Sequence, residues 1–328
     1  MTPERSLSDV IWGDHNSVVC ADEAAGTVNG READITNMIN ARKIKNSDKI
    51  KSYFKLIRPV NALMMGFAVV VGEVAMLGGV PDAIKILSGF LVSFFLTSAA
   101  MVVNDIVDID IDRINTPERP IPSGSVSIKS AKLYAAILAI AGIMSAFPLS
   151  AYGVPLAVIT FLISLAYNMR GKKAGFVGNV MVAYCVAVPF LFGGLAVAET
   201  IDIKISVFFL LAFLATTGRE VVKGIADMEG DRIKGIATLA LSCGPKKAAL
   251  VAAALYLGAV ALTPIPAIFG ILGIWYSILV TFVDIGFVYS STIILRRQDK
   301  KTALRVKKET MIWMLLALLA FLFGGLSS

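Results

Sequence analysis

The amino-acid sequence predicts an all-α integral membrane protein, and three observations support this prediction. Of the 328 residues, 56% are hydrophobic and 17% are charged, and the mean hydropathy is +0.75. The apolar residues form long runs separated by short charged segments, which is typical of a multi-span helical protein. Nearly the whole length is needed for the spans, so we expect one transmembrane domain at 49–328. Residues 1–48 are polar and lack an apolar run, so we expect a disordered tail rather than a signal peptide.

Nine apolar segments predict nine transmembrane helices. Their predicted ranges are 54–78, 83–105, 130–149, 154–169, 177–198, 205–224, 246–264, 268–295 and 306–326. The fourth segment is short for a hydrocarbon core about 30 Å thick at about 1.5 Å per residue. We therefore expect it to lie tilted or to depend on its neighbours.

Positive charge is concentrated in every second connection between the predicted helices. The cations on that side are Lys49, Lys51, Lys55, Arg58, Arg113, Arg119, Lys129, Arg170, Lys172, Lys173, Arg232, Lys234, Lys246, Lys247, Arg296, Arg297, Lys300, Lys301 and Arg305. The opposite connections are short and nearly free of cations, with Lys85 and Lys204 at helix edges. By the positive-inside rule, the N-terminus and the charged loops face the cytoplasm and the C-terminus lies outside the cell membrane.

The net charge of +7 is interpreted as basic loops that face anionic lipid head groups. No soluble basic domain is left for nucleic acid, so membrane lipids are expected partners and nucleic acid is not. Cys20, Cys185 and Cys243 lie far apart in no paired motif, and His15 is alone, so a zinc site is not expected.

The first acidic motif follows the second predicted helix. If that helix continues, Asn104, Asp108 and Asp112 lie at i, i+4 and i+8 on one face, with Asp105 beside Asp108. Such a cluster is costly in hydrocarbon, at about 2.5–3.5 kcal/mol for each carboxylate.

The second acidic motif follows the sixth predicted helix, on the same side of the membrane. Asp227 and Asp231 again lie at i and i+4, and the same helical edge extends back through Lys223 to Arg219. The similar placement of the two motifs indicates an internal four-helix repeat that brings them face to face, with a ninth helix added.

Two opposed carboxylate faces with cations nearby are typical of a site where Mg²⁺ holds a diphosphate. Mg²⁺ prefers oxygen ligands and is commonly bound by one or two carboxylates together with phosphate oxygens. The alternative interpretation is that these acids pair with loop cations at a solvated interface.

The two motifs resemble the signatures NDxxDxxxD and DxxxD of the UbiA superfamily of intramembrane prenyltransferases. Arg58, Pro59 and Asn61 also match the entry segment of that family, and the resemblance covers about residues 50–328. The resemblance implies nine helices around a central cavity that is closed toward the outside and open laterally to lipid. Many relatives carry a further acid after the lysine of the second motif, where this chain has Gly224 and Ala226.

Other segments resemble the branch of the superfamily that makes archaeal ether lipids. They are the stretch 113–124, the motif 227–231, the stretch 264–270 and Asp284. The implied reaction transfers a geranylgeranyl group from geranylgeranyl diphosphate to the free hydroxyl of geranylgeranylglyceryl phosphate. Chlorophyll synthases share part of these segments, so a quinone-ring or tetrapyrrole acceptor stays an alternative. A secondary transporter is disfavoured, because transporters place such acids near the membrane midplane.

The resemblance also implies roles for individual residues. The implied Mg²⁺ ligands are Asn104, Asp105, Asp108 and Asp112 for one ion and Asp227 and Asp231 for the other. Lys223 and the five aspartates are the candidate catalytic residues. The candidate substrate-binding residues are Arg58, Asn61, Arg170, Lys172, Lys173 and Arg219. Lys172 and Lys173 are assigned to the phosphate of the acceptor, and Arg119 is assigned to ordering the Pro-rich loop. The candidates for an apolar prenyl tunnel are Met64, Met65, Phe67, Phe94, Phe95 and Phe161.

Overall fold

The computed structural model describes residues 49–233 and 235–327. The predicted tail at 1–48 lies outside these residues. The chain divides into two compact units, and the unit that begins at Phe54 carries all the long helices. Of the unit that ends at Tyr53, residues 49–53 are described, and they are helical.

Nine long helices make up the described fold, which contains no strand in the residues that the structure describes. Their bounds are α1 Pro59–Leu77, α2 Ala83–Val107, α3 Ile128–Ser145, α4 Gly153–Met169, α5 Phe176–Ala198, α6 Ile203–Ala226, α7 Pro245–Leu262, α8 Ile274–Arg296 and α9 Lys300–Leu326. The shorter helices are Ile109–Asn115, Met228–Ile233, Leu239–Cys243, Ile265–Ile268 and the 3₁₀ turn Gly171–Lys173.

Eight of these helices are long and apolar enough to cross a membrane, which confirms the prediction of a multi-pass helical protein. The remaining helix, α4, has 17 residues and is the predicted short fourth segment. The count of nine spans stays a prediction, because α4 is shorter than the other eight.

Several helices begin where a side chain accepts hydrogen bonds from the first turn. Asp82 accepts from two backbone N–H groups at the start of α2, and Asp202 accepts from Lys204 N–H at the start of α6. Such caps satisfy donors that have no partner inside the helix. At α9 the cap is Asp299, and hydrogen bonds from the backbone and side chain of Thr302 lower the pKa of its carboxyl group.

The predicted starts of α8 and α9 differ most from the structure, for local reasons. Helix α9 begins at Lys300 rather than 306, because the Asp299 cap extends it through a polar first turn. Helix α8 begins at Ile274 rather than 268. The apolar run from 264 is broken by the short helix Ile265–Ile268 and by Gly270, whose φ of 63° suits a residue without a Cβ.

Close packing of α1 against α5 depends on glycines, which let helix backbones approach each other in a membrane. A Cβ on Gly193 would meet the carbonyl oxygen of Val69 and the amide of Glu73, and one on Gly72 would meet the carbonyl of Phe190. Side chains of both α1 and α5 line the internal cavities described below.

Candidate active site

Both acidic motifs lie where a long helix is interrupted and a short helix begins. Asp108 follows α2 with φ −87° and ψ 6°, and Asp227 follows α6 with φ −99° and ψ 5°. The i to i−4 hydrogen bonds nevertheless continue through both interruptions, from Asp112 N to Asp108 O at 2.8 Å and from Asp231 N to Asp227 O at 2.9 Å. The two motifs share this local geometry, as an internal repeat would produce.

Two arginines hold the buried acids of the first motif. Asp105 is 4% exposed, and its Oδ1 accepts a hydrogen bond from Arg58 at 2.6 Å and lies 3.5 Å from Arg119. Arg119 also donates to Oδ2 of Asp112 at 2.6 Å. Arg119 thus bridges two carboxylates of the motif. The predicted role of Arg119 in ordering the Pro-rich loop did not include this contact with the acids.

A lysine and two amides surround the third acid of this motif. Nζ of Lys172 lies 2.6 Å from Oδ2 of Asp108. The side-chain amide of Asn104 lies 3.1 Å from Asp108 Oδ2 and 2.9 Å from Lys172 Nζ. It also lies 3.0 Å from Oδ1 of Asn168, whose own Nδ2 donates to the carbonyl of Ala100. Asn168 was missed by sequence reasoning, although a polar residue at the end of the apolar helix α4 is a usable signal.

The three predicted cations of the loop after α4 differ in their surroundings. Lys172 faces the first motif, whereas Lys173 and Arg170 are exposed. The 3₁₀ turn Gly171–Lys173 explains the difference, because successive side chains of such a turn point in different directions. The assignment of Lys172 and Lys173 to the acceptor phosphate stays a prediction, and the two lysines differ in that Lys172 also contacts the first motif.

The second motif brings a different acid into the site. Glu220 is 8% exposed and lies 3.4 Å from Arg219 and 3.1 Å from Lys223. Asp227 is exposed and Asp231 is partly exposed at the end of the same helical edge. Sequence reasoning missed Glu220, although a carboxylate between two cations within an apolar helix is itself a functional signal.

A cavity of about 350 Å³, which we call the larger cavity, runs from these residues into the fold. One end of its lining is polar and contains Asn61, Asn104, Asn168, Arg219 and Glu220. The rest is mainly apolar, with scattered hydroxyl groups such as Thr97 and Ser164, and it includes the predicted tunnel residues Met64, Met65 and Phe161. The other tunnel candidates, Phe67, Phe94 and Phe95, do not line it.

The first motif fits a hard cation such as Mg²⁺, because the atoms that could bind a metal are carboxylate and amide oxygens. The structure does not gather three or more His, Cys, Asp or Glu side chains at one point anywhere in 49–233 or 235–327. Instead, Asp105, Asp108 and Asp112 are each paired with a cation. The assignment of individual metal ligands therefore stays a prediction.

A multi-pass helical protein with acids and cations at the polar end of an apolar cavity has the features of an enzyme for lipids with charged head groups. The family model described as the UbiA prenyltransferase family matches residues 65–324. The chain belongs to this family and is a prenyltransferase.

Similar proteins cover nearly the full length of the helical domain. The chain is 38% identical over 279 residues to digeranylgeranylglyceryl phosphate synthase of Methanocaldococcus jannaschii. The aligned region covers 85% of this chain and 98% of that protein. The proteins of the same name from Methanosarcina mazei and Thermococcus kodakarensis are 37% and 36% identical, with 84% and 85% of this chain covered and 98% and 99% of those proteins.

Solved structures agree with the fold. One structure of a digeranylgeranylglyceryl phosphate synthase is 38% identical, has a TM-score of 0.74, and covers 86% of this chain and 100% of its own. A UbiA homologue from Archaeoglobus fulgidus, bound to GPP and Mg²⁺, is 16% identical and has a TM-score of 0.57. The match covers 84% of this chain and 100% of the homologue. This second likeness supports the helical fold alone.

Proposed function

We propose that this protein transfers a geranylgeranyl group from geranylgeranyl diphosphate to the free hydroxyl of geranylgeranylglyceryl phosphate, with Mg²⁺ as cofactor. The observation that carries this proposal is the 38% identity to a digeranylgeranylglyceryl phosphate synthase over nearly the full length of that relative. The paired acids and cations at the polar end of the larger cavity supply the chemistry that such a reaction needs. The same proposal places this end of the cavity at the cytoplasmic face and the C-terminus outside.

The first motif would hold one Mg²⁺ through Asn104, Asp105, Asp108 and Asp112, and the second motif would hold another through Asp227 and Asp231. When bound, Mg²⁺ neutralises the charge that develops on the diphosphate oxygens as the allylic C–O bond breaks. Oxygen ligands of this kind are those that Mg²⁺ prefers.

The cations of the site orient the acids and face the anionic leaving group. Arg58, Arg119 and Lys172 each hold a carboxylate of the first motif at 2.6 Å, so these side chains are already ordered. Lys223 and Arg219 are placed in the same way by Glu220. Charged groups that are held in position stabilise developing charge without reorganising during the reaction.

The apolar part of the larger cavity protects the reaction from water. The C–O bond of the donor breaks with both electrons passing to the diphosphate, which leaves an allylic cation. The hydroxyl oxygen of the acceptor bonds to this carbon, and its proton is taken up by the departing diphosphate. Water would capture the same cation, so an apolar lining such as Met64, Met65 and Phe161 preserves the transfer.

The test uses the full chain in lipid nanodiscs with prenyl diphosphates of 10, 15 and 20 carbons and three classes of acceptor. Mass spectrometry should show a diether phosphate from the geranylgeranyl donor and geranylgeranylglyceryl phosphate. Prenylated quinone-ring or tetrapyrrole products, with no diether, would reject the proposed acceptor.

A matched pair of variants connects the activity to the first motif. Asp105→Asn removes a buried carboxylate that is paired with Arg58, and transfer should fall by about a hundredfold or more. Asp110→Asn makes the same change in the same segment, but the Asp110 side chain is 87% exposed, and activity should stay near that of the wild type. Equal losses in the two variants would contradict the assigned site.

A further inference from the structure

A second cavity, of about 100 Å³, lies between α6, α7, α8 and α9, and we call it the smaller cavity. Most of its lining is apolar and includes Ala212, Ala259, Val283, Phe287, Ala317 and Phe321. None of the acids of the two predicted motifs lines it. The reaction proposed above therefore leaves this space without a role.

The two cavities share a wall made by Met64, Met65, Val186 and Met314. Three of these four residues are methionines, which are unbranched and have three rotatable bonds, so they adapt their shape to a neighbouring ligand. The larger cavity reaches the first motif through Asn104, whereas the smaller one lies on the far side of the methionine wall. The two cavities thus lie side by side, with these four side chains between them.

A polar pair interrupts the apolar lining of the smaller cavity. Thr263 Oγ1 donates to Asp284 Oδ2 at 2.7 Å, and the hydroxyl of Tyr276 donates to the carbonyl of Thr263 at 2.7 Å. The other carboxyl oxygen of Asp284 has no hydrogen-bond partner among the described residues. A hydrocarbon chain offers this oxygen no hydrogen bond. An apolar ligand in the smaller cavity is therefore expected to end before it reaches the pair of Thr263 and Asp284.

We infer that the smaller cavity receives the distal part of the isoprenoid chain of the acceptor, while the chain of the donor occupies the larger cavity. This inference rests on the proposed function, in which both substrates carry a geranylgeranyl chain. Their head groups must meet at the acidic motifs, so both chains run from that end into the apolar interior. The donor takes the larger cavity, because its diphosphate is held at the motif that this cavity reaches through Asn104.

The location of each chain can be measured without turnover. Geranylgeranylglyceryl phosphate with a diazirine at the end of its chain is bound to the full protein in nanodiscs, irradiated, and mapped by mass spectrometry. The expected crosslinks fall on α7, α8 and α9, near Val283 and Ala317. A geranylgeranyl diphosphate carrying the same group should crosslink to α2 and α4. Acceptor crosslinks on α2 and α4 would overturn the inference.

A pair of narrowing substitutions gives a kinetic test. Ala212 lines only the smaller of the two cavities and Thr160 only the larger, and both are partly buried. Ala212→Leu should raise the KM of the acceptor about tenfold and leave that of the donor within about twofold, since added methylenes oppose ligand binding in a filled space. Thr160→Leu should show the reverse pattern. A larger effect of Ala212→Leu on the donor would overturn the inference.

These experiments separate failure of the inference from failure of the proposed function. If wild-type protein forms the diether but the acceptor crosslinks to α2 and α4, the function holds and the inference is wrong. If no diether forms while the acceptor probe still crosslinks to α7, α8 and α9, the proposed reaction is wrong and the smaller cavity remains a site for isoprenoid chains. If no diether forms and the acceptor probe does not crosslink to α7, α8 and α9, both the proposed function and the inference are rejected.

Discussion

The contrast between Lys172 and Lys173 gives a sharp test of the site, because adjacent residues of one turn have different surroundings. Lys172 lies 2.6 Å from Asp108, and both side chains are 22% exposed, whereas Lys173 is exposed. We expect Lys172→Met to lower kcat and Lys173→Met to raise only the KM of the acceptor. Methionine keeps the length and the aliphatic stem while removing the charge.

The magnitude follows from the ion pair. A hydrogen bond to a charged group contributes about 1.5–3 kcal/mol, and the low exposure of both partners leaves solvent little room to replace it. If this free energy is lost from the stabilisation of the transition state, kcat decreases by about 10- to 150-fold. Lys173 is exposed and screened, so its substitution should cost about 1 kcal/mol or less, which is at most about fivefold in KM.

The assay is steady-state kinetics with each substrate varied in turn, and Lys129→Met, at an exposed position, is the control. Combining Lys172→Met with Asp108→Asn should show a coupling energy, because the two side chains are in contact. The reasoning is refuted if Lys172→Met and Lys173→Met raise the acceptor KM equally and leave kcat unchanged. Both lysines would then serve the acceptor phosphate, as the sequence first predicted.

Three further predictions concern the metal, the second motif and the fold. Excess chelator should abolish transfer and added Mg²⁺ should restore it, and full turnover in chelator would reject the carboxylate clamp. Glu220→Gln should reduce kcat/KM about tenfold by releasing Arg219 and Lys223, whereas an unchanged value would place Glu220 outside the site. Gly193→Ala should lower the thermal unfolding midpoint, because its Cβ would meet the backbone of α1, whereas Gly258→Ala should not, because nothing lies within 4 Å. Equal midpoints would refute the packing argument.

The sequence predicted the long helices well, because membrane spans are read from hydropathy alone. It also placed both acidic motifs at helix ends, since each motif follows an apolar run directly. The boundaries of α8 and α9 were less accurate. A cap at Asp299 and a positive φ at Gly270 act through local geometry, which mean hydropathy does not measure.

The pairing of charges in the site could not be predicted in the same way. Arg119 reaches Asp105 and Asp112 from the connection between α2 and α3, and Lys172 reaches Asp108 from the loop after α4. These contacts depend on how separate loops return to one place, which no periodicity in the sequence encodes. Arg219 and Lys223 were placed on one helical edge from the sequence, whereas Glu220 between them was missed although it lies in the same helix.

The pairing changes how the first motif should be understood. From the sequence, the cluster of Asp105, Asp108 and Asp112 is costly in hydrocarbon, and these acids are assigned to Mg²⁺ binding. In the structure, Arg58 pairs with Asp105, Lys172 pairs with Asp108, and Arg119 contacts both Asp105 and Asp112, so three carboxylates face three cations. The cost of burying these acids is therefore offset before any ligand binds. Asp105→Asn should then weaken the fold as well as the reaction, because it leaves Arg58 without its closest partner. Activity and unfolding must be measured on the same variant to separate these effects, and the exposed Asp110 provides the comparison.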